Sequence, residues 1–253
     1  MCLILLAWRA HPDYPLVVAA NRDEFFARPT AAADFWPDHP RVLAGRDLEG
    51  GGTWFGISRG GRFAALTNYR DPASVRQGTP SRGALVADFL AGDMPPTDYR
   101  RLLEERGAAY NGYNLLFGDA DGLFYHSNCG AGPEHLPPGI YGLSNHLLDT
   151  PWPKVAQGKS RLAAALAALP DDRNLLALLR DDRLADDADL PRTGVSLEWE
   201  RLLSAAFVRS SAYGTRSSTV LTRDRQDQVV FEEVHFDAAA METGRSRFDF
   251  RVA

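Results

Sequence analysis

An α+β fold, with antiparallel sheets covered by helices, is the class this sequence predicts, on three observations. Short apolar runs come in closely spaced pairs, the mark of antiparallel hairpins. Helical stretches cluster between those pairs instead of alternating with single strands. A chain of 253 residues with 45% hydrophobic content can also bury a sizeable core. A four-layer sandwich with two central sheets satisfies these observations, and so does a simpler two-layer arrangement.

The run "CLILLAW" is continuously apolar and short, so it predicts a strand buried on both faces. "HPDY" turns the chain, and "PLVVAA", residues 15–20, supplies an antiparallel neighbour. "NRDEFFARPT" follows and puts polar groups at a strand end. A loop containing Pro and Trp is expected from there to "AGRDLEGGGTWFGIS", where Gly50, Gly51 and Gly52 admit unusual backbone angles. "TWFGIS" and "RFAALTNY" form a second hairpin around Arg59-Gly60-Gly61. "ALVADFLAG" and "PTDYRRLLEERGAA" are short helices, the second with an apolar stripe and a glycine stop. Strands resume at "YNLLFGD", "GLFYHSN" and "GIYGLSNH". "PWPKVAQGKSRLAAALAALP" is a long helix entered through Pro153 and closed by Pro170. "RNLLALLR" adds a short helical piece, and "SLEWERLLSAAFV" is a capped helix. "SSTVLTRD" and "QVVFEEVHF" make a last hairpin before a mixed polar tail. No repeat, linker or low-complexity segment divides the chain, so a single domain over 1–253 is expected.

Bulk properties narrow the function classes. A net charge of −5 argues against a nucleic acid as the main partner. Cys2 and Cys129 do not describe a disulfide framework or a metal knuckle. The apolar start is too short for a signal peptide, and no run approaches the ~20 apolar residues of a membrane span. A cytoplasmic protein with no integral membrane segment is the expectation. Its oligomeric state is left open. "EGGGTWFG" lacks the Lys-Ser/Thr of a phosphate loop, and Asp47 with Glu49 is ordinary loop chemistry, so no metal site is assigned.

Cys2 carries the candidate chemistry. If Met1 is removed, Cys2 holds both a thiol and the α-amine of the chain. An α-amine with a pKa near 8 can take the thiol proton at neutral pH. A tetrahedral intermediate then needs donors for its oxyanion. Asn68 and Asn145 each end a strand and can present an amide N–H. Asp23 can hold the α-ammonium, and Arg22 or Arg70 can lower the thiol pKa or bind a substrate carboxylate. Trp54, Phe55, Tyr69 and Trp152 are candidates for lining an apolar acyl pocket, in competition with simple core packing.

The combination "MCLILLAW", "AANRDEFFARP", "GGGTWFGIS", "ALTNYRDP", "NGYNLLFGD", "YGLSNHLLDTPWPKV" and "SSTV" resembles the NRDE family, also called the transport and Golgi organisation 2 family. The resemblance spans nearly the whole chain. It implies the four-layer αββα sandwich of the N-terminal nucleophile hydrolases. It also implies relatives linked to secretory organisation, mitochondria, lipid metabolism and haem handling. A more distant likeness runs to penicillin V acylases and bile salt hydrolases. It implies Cys2 as nucleophile, Asp23 as the holder of the terminal amine, and Asn68 and Asn145 as the two catalytic amides. It also places Ala20 where those acylases carry an arginine, and Arg216 in "YGTRSSTV" is the candidate to replace that charge.

The expected function is hydrolysis of an amide or related acyl substrate, with no cofactor required. Arg22, Trp54, Tyr69 and Arg70 are the expected substrate contacts. The rival reading is a carrier of haem, acyl-CoA or another amphipathic lipid, in which Arg70, Arg76 and Arg82 meet acidic groups. The six histidines offer iron ligands for haem, but none has a recognised spacing.

Overall fold

Continuous apolar runs become central strands. A computed structural model describes residues 2–131 and 135–253. Met1, whose removal the nucleophile argument needs, lies outside the described residues. In chain order the strands are β1 (Cys2–Trp8), β2 (Leu16–Phe25), β3 (Thr30–Phe35), β4 (Val42–Asp47), β5 (Phe55–Ser58), β6 (Phe63–Asn68), β7 (Tyr113–Gly118), β8 (Leu123–Ser127), β9 (Gly139–Leu143), β10 (Tyr213–Arg223), β11 (Gln228–Phe236) and β12 (Glu242–Arg251). The helices are α1 (Gly83–Ala91), α2 (Pro96–Arg106), α3 (Pro153–Leu166), α4 (Arg173–Leu178) and α5 (Leu197–Leu202). The strands form two six-stranded sheets, ordered β12-β11-β10-β2-β1-β9 and β3-β4-β5-β6-β7-β8. The chain divides into two compact units, each holding one sheet and its own helices. Each unit therefore supplies one β and one α layer of the expected αββα class.

The first unit runs from the chain start to Ala27, then Pro138–Ser144 and Leu148–Phe250. Odd-numbered residues of β1 and β2 (Leu3, Leu5, Ala7, Val17 and Ala19) pack with Val155 and Leu162 of α3 and Leu175 of α4. Gly158 lets α3 close onto β1, because a Cβ there would lie 2.7 Å from Leu5 Cδ2. Ile4, Leu6 and Val18, on the opposite face, are buried as well. That two-sided burial is why the run reads as continuous instead of alternating.

Two expectations change here. The NRDE tetrapeptide does not follow the strand; β2 continues through it to Phe25, paired with β1 on one side and β10 on the other. The polar tail contains β12, an edge strand beside β11. It lacks an apolar run because ion pairs help to hold it: Arg245 and Arg247 both bond the buried carboxylate of Glu232.

The second unit comprises Arg28–Pro137, Asn145–Leu147 and Arg251–Ala253. Leu85, Val86 and Phe89 of α1 and Leu103 of α2 pack on Ala64, Leu66, Leu115 and Phe117 of the sheet. The hairpin β5–β6 turns where expected, with Gly61 at φ +76°. The loop expected from "NRDEFFARPT" to "AGRDLEGGGTWFGIS" instead holds most of β3 and the start of β4. β3 is short, Ala-rich and interrupted by a register irregularity between Ala31 and Asp34, so it gives no strong strand pattern. The Gly50–Gly52 turn has two separate demands. Gly51 takes φ +76°, and a Cβ on Gly52 would meet the Gly83 backbone at 2.3 Å. Among the described residues, no helix is long and apolar enough to cross a membrane.

Candidate functional site

Strand register builds the first part of the site. Cys2 is the cross-strand partner of Arg22, and Arg22 is the partner of Ser217 on β10. Side chains on directly paired residues share a face, so Cys2, Arg22 and Ser217 form a row on the face turned away from α3. Glu24 lies two residues along the same face of β2, with its carboxylate 3.9 Å from the Arg22 guanidinium. Cys2 is partly exposed and unpaired by any disulfide.

Asn21 and Asp23 point to the other face. Asn21 Nδ2 donates to the carbonyls of Leu179 and Ala206, at 2.8 and 2.7 Å, and Ser218 Oγ donates to Asn21 Oδ1 at 2.6 Å. Thr215 Oγ1 donates to Asp23 Oδ1 at 2.7 Å and accepts from the Val208 amide at 2.9 Å. These bonds fasten the segment 206–208 across the helix side of the sheet. The tetrapeptide therefore divides its labour by alternation: Asn21 and Asp23 brace, while Arg22 and Glu24 stand on the thiol's face.

A bulge in β10 makes this division work. The register with β2 shifts between Thr215 and Ser217, leaving Arg216 as the extra residue. The shift puts both Thr215 and Ser218 on the bracing face. Arg216 donates to the Phe25 carbonyl at 2.9 Å. Burial, then the like charge of Arg22, lower its pKa, while Glu24 opposes them. Arg22, Glu24 and Arg216 thus form one charged cluster within the unit.

Burial pushes the Cys2 thiol pKa up, and the Asp23 carboxylate adds to this. The Arg22 charge and a hydrogen bond from the Asp23 backbone amide act in the opposite direction. Antiparallel pairing also fixes a direction. Moving from Cys2 toward the chain start corresponds to moving from Arg22 toward Asp23. The α-nitrogen of Cys2 therefore lies on the Asp23 side of its pair. Ser144 Oγ holds the Cys2 carbonyl at 3.0 Å.

The second unit holds the two candidate amides. Asn68 is the last residue of β6, and Asn145 follows β9 by two residues. Asn145 is fully buried; its Nδ2 donates to the Asn68 carbonyl at 2.8 Å, and its own carbonyl accepts from the Arg70 amide at 2.8 Å. Strand alternation puts Asn68 on the same face as Ala64 and Leu66, the face that meets α1. Thr67 lies on the reverse face beside Asn114, a residue that sequence reasoning missed. Asn114 Nδ2 donates to Thr67 Oγ1 and the His146 carbonyl, and Tyr125 donates to its Oδ1. A buried amide inside the run "YNLLFG" was the available signal. The Tyr69 ring lies 5.0 Å from that of His146. Arg70 is buried.

Other candidates have plainer surroundings. The Trp54 ring covers Gly45, Phe55 packs edge-on against Phe63, and Trp152 packs on the α3 core. Arg76 bonds the carbonyls of Ala108 and Tyr110, and Arg82 that of Gly112, so both clamp loops. Among the described residues, no group of three or more His, Cys, Asp or Glu side chains is placed to hold a metal ion.

The chain is similar to known proteins at two depths. Among solved structures, the chain is similar to the penicillin V acylase of Agrobacterium tumefaciens, at 12% identity and a TM-score of 0.42, covering 99% of this chain and 86% of that one. It is also similar to the conjugated bile acid hydrolase of Clostridium perfringens, at 11% identity and a TM-score of 0.46, covering 100% and 97%. The human Transport and Golgi organization protein 2 homolog is 40% identical over 256 residues, covering 92% of each chain. The Drosophila melanogaster Transport and Golgi organization protein 2 is 30% identical over 260 residues, covering 92% of this chain and 91% of the relative. The family profile described as Transport and Golgi organisation 2 matches residues 1–238, and the chain belongs to that family.

Proposed function

We propose that this protein is a cysteine-nucleophile hydrolase of amide or related acyl substrates, active once Met1 has been removed. One observation carries the reading. Cys2, at the start of β1, is a partly exposed residue with a free thiol, paired across the strands with Arg22, whose charge favours the thiolate.

In the proposed cycle the Cys2 α-amine takes the thiol proton, and the thiolate attacks the substrate carbonyl. Asn145, Asn68 or a nearby backbone N–H is assigned, on its chemistry, to donate to the oxyanion. The tetrahedral intermediate collapses, the C–N bond breaks, and the leaving amine takes the proton from the α-ammonium. Water, deprotonated by the same amine, then hydrolyses the thioester and restores the thiol. Asp23 is assigned to hold the α-ammonium, which the strand register supports. Arg22 and Arg216 supply positive charge on the thiol's face. Arg22, Trp54, Tyr69 and Arg70 are assigned as substrate contacts. The reading also carries a cytoplasmic location, which suits two cysteines kept as free thiols.

Intact-protein mass spectrometry on active material tests the processing step. Cys2→Ala and Cys2→Ser variants, screened with acyl-amide substrates and a covalent acyl probe, test the nucleophile. The expected result is a trimmed chain whose labelling and turnover vanish in both variants. Retained Met1 in active protein, or unchanged turnover without the thiol, overturns the reading. Saturable binding of haem, acyl-CoA or lipid with no turnover would favour a carrier instead.

A further inference from the structure

Ser217 stands in the row on the thiol's face, paired with Arg22 on one side and with His235 of β11 on the other. It is 2% exposed, and its Oγ is buried with no hydrogen-bond partner among the described residues. A buried hydroxyl left unpaired carries a desolvation cost, and native structures seldom keep one without a use. Its neighbours are directed elsewhere. The Arg22 guanidinium faces Glu24 at 3.9 Å, and His235 Nε2 lies 3.0 Å from Glu233 Oε1. Thr219, two residues along on the same face, donates to Glu233 Oε2 at 3.2 Å. Neither carboxylate bonds Ser217.

Access to this hydroxyl comes along the row. Cys2 is partly exposed, and the side chains of Glu24 and His235 are 23% and 22% exposed. Ser217 therefore lies between groups that reach solvent, in line with the thiol. Cys2 and Ser217 belong to the strands on either side of β2. Two strand spacings, ~10 Å, separate them. That is the length of about three extended residues.

A serine hydroxyl can donate or accept. Beside the positive charge of Arg22, an acceptor oxygen suits it better than an N–H. A neutral oxygen is enough, because Arg22 already faces the Glu24 carboxylate. We propose that Ser217 is a specificity-determining residue of the thiol site, whose Oγ donates to a second, neutral carbonyl of the substrate about 10 Å from the sulfur. The substrate class is then an acyl amide with a further amide or ester carbonyl in its chain, in preference to one with a plain hydrocarbon tail at that distance. This role rests on the reading of Cys2 as the nucleophile.

Alkylation of Cys2 by two chloroacetamides tests this on the full chain in a Cys129→Ser background. One probe carries a glycyl-glycine methylamide tail, and the other a heptyl tail of equal length. Only the first has carbonyls beyond the reactive group. With Ser217 intact, the peptide-tailed probe should label Cys2 about fivefold faster, the gain from one neutral hydrogen bond. In Ser217→Ala the two rates should converge. That variant should also keep its urea midpoint, because the hydroxyl has no bond to lose. Equal rates with Ser217 intact, or a preference that survives Ser217→Ala, overturns the proposal. So does a lowered urea midpoint, which would make Ser217 a structural residue. Labelling needs no turnover, so the two readings fail separately. Equal labelling rates with Cys2-dependent turnover overturn the Ser217 role alone. Turnover unchanged in Cys2→Ala overturns the nucleophile, and with it a substrate measured from the thiol. No labelling of Cys2 by either probe overturns both.

Discussion

Asn21 opens the tetrapeptide that draws attention to a catalytic role, yet its bonds make it a brace, and its removal has a size that can be worked out. The side chain is 1% exposed and makes three hydrogen bonds: two donated to the Leu179 and Ala206 carbonyls and one accepted from Ser218 Oγ. Asn21→Ala deletes all three and strands their partners. At about 1 kcal/mol per bond the loss is about 3 kcal/mol. For a chain of this size that lowers Tm by roughly 6–12 °C. Asn21→Asp is nearly isosteric but turns a double donor into an acceptor facing two carbonyls. It should cost more than alanine at neutral pH. Part of that loss should return in acid, because a protonated carboxyl can donate one of the two bonds. Ser218→Ala removes one bond, about 1 kcal/mol, and the double variant should fall short of additivity by a similar amount, about 1 kcal/mol. Urea unfolding followed by tryptophan fluorescence gives these differences, provided the m-values stay constant. An Asn21→Ala loss under about 0.5 kcal/mol, the scale of a bland surface change, would refute the brace. So would strict additivity with Ser218→Ala.

Named contacts elsewhere set four more outcomes. In a Cys129→Ser background, alkylation of Cys2 in the chain retaining Met1 should have its midpoint above the free-thiol value of about 8.5, because burial raises the thiol pKa. Trimming to Cys2 should lower that midpoint, and equal midpoints would remove the amine from the mechanism. Gly52→Ala should cost about 3 kcal/mol, the upper end of overpacking, because the added methyl meets the Gly83 backbone. Gly60→Ala, with only Ser58 Oγ at 3.7 Å, should stay within about 0.5 kcal/mol in the same urea assay. Ending the chain at Ala240 deletes β12 and leaves the Glu232 carboxylate without Arg245 and Arg247. The expected loss is about 3 kcal/mol, and Glu232→Gln should recover part of it in the shortened chain. Finally, burial lowers the His126 pKa, so the unfolded chain takes up its proton first as pH falls below about 6.5. Stability should therefore decline with acid across that window, and His126→Gln should flatten the decline in urea midpoints.

How much of the fold was legible in the sequence depends on what each residue's type can reveal. Leu3 to Ala7 and Val17 to Ala20 announce buried strands because their apolar runs admit few other places in a folded chain. Residues 30–47 do not, because an interrupted, Ala-rich pair of short strands looks like a loop until its partners are known. β12 is hidden for a related reason: its anchor is charge at Glu232, and charge in a sequence ordinarily means surface.

The site was legible as a set of residues but not as faces. Alternation along β2 is predictable, and it correctly separates Arg22 from Asp23. Which of the two faces the thiol is a matter of register, and Cys2 pairs with Arg22 only because of how β1 and β2 align. The bulge at Arg216 is less accessible still, since nothing in "YGTRSSTV" marks one residue as extra. Without it, Thr215 and Ser218 would fall on opposite faces, and either Asn21 or Asp23 would lose its hydroxyl partner. The tetrapeptide's meaning is therefore set by a single inserted residue on a strand nearly two hundred positions away, a constraint that composition and spacing do not carry.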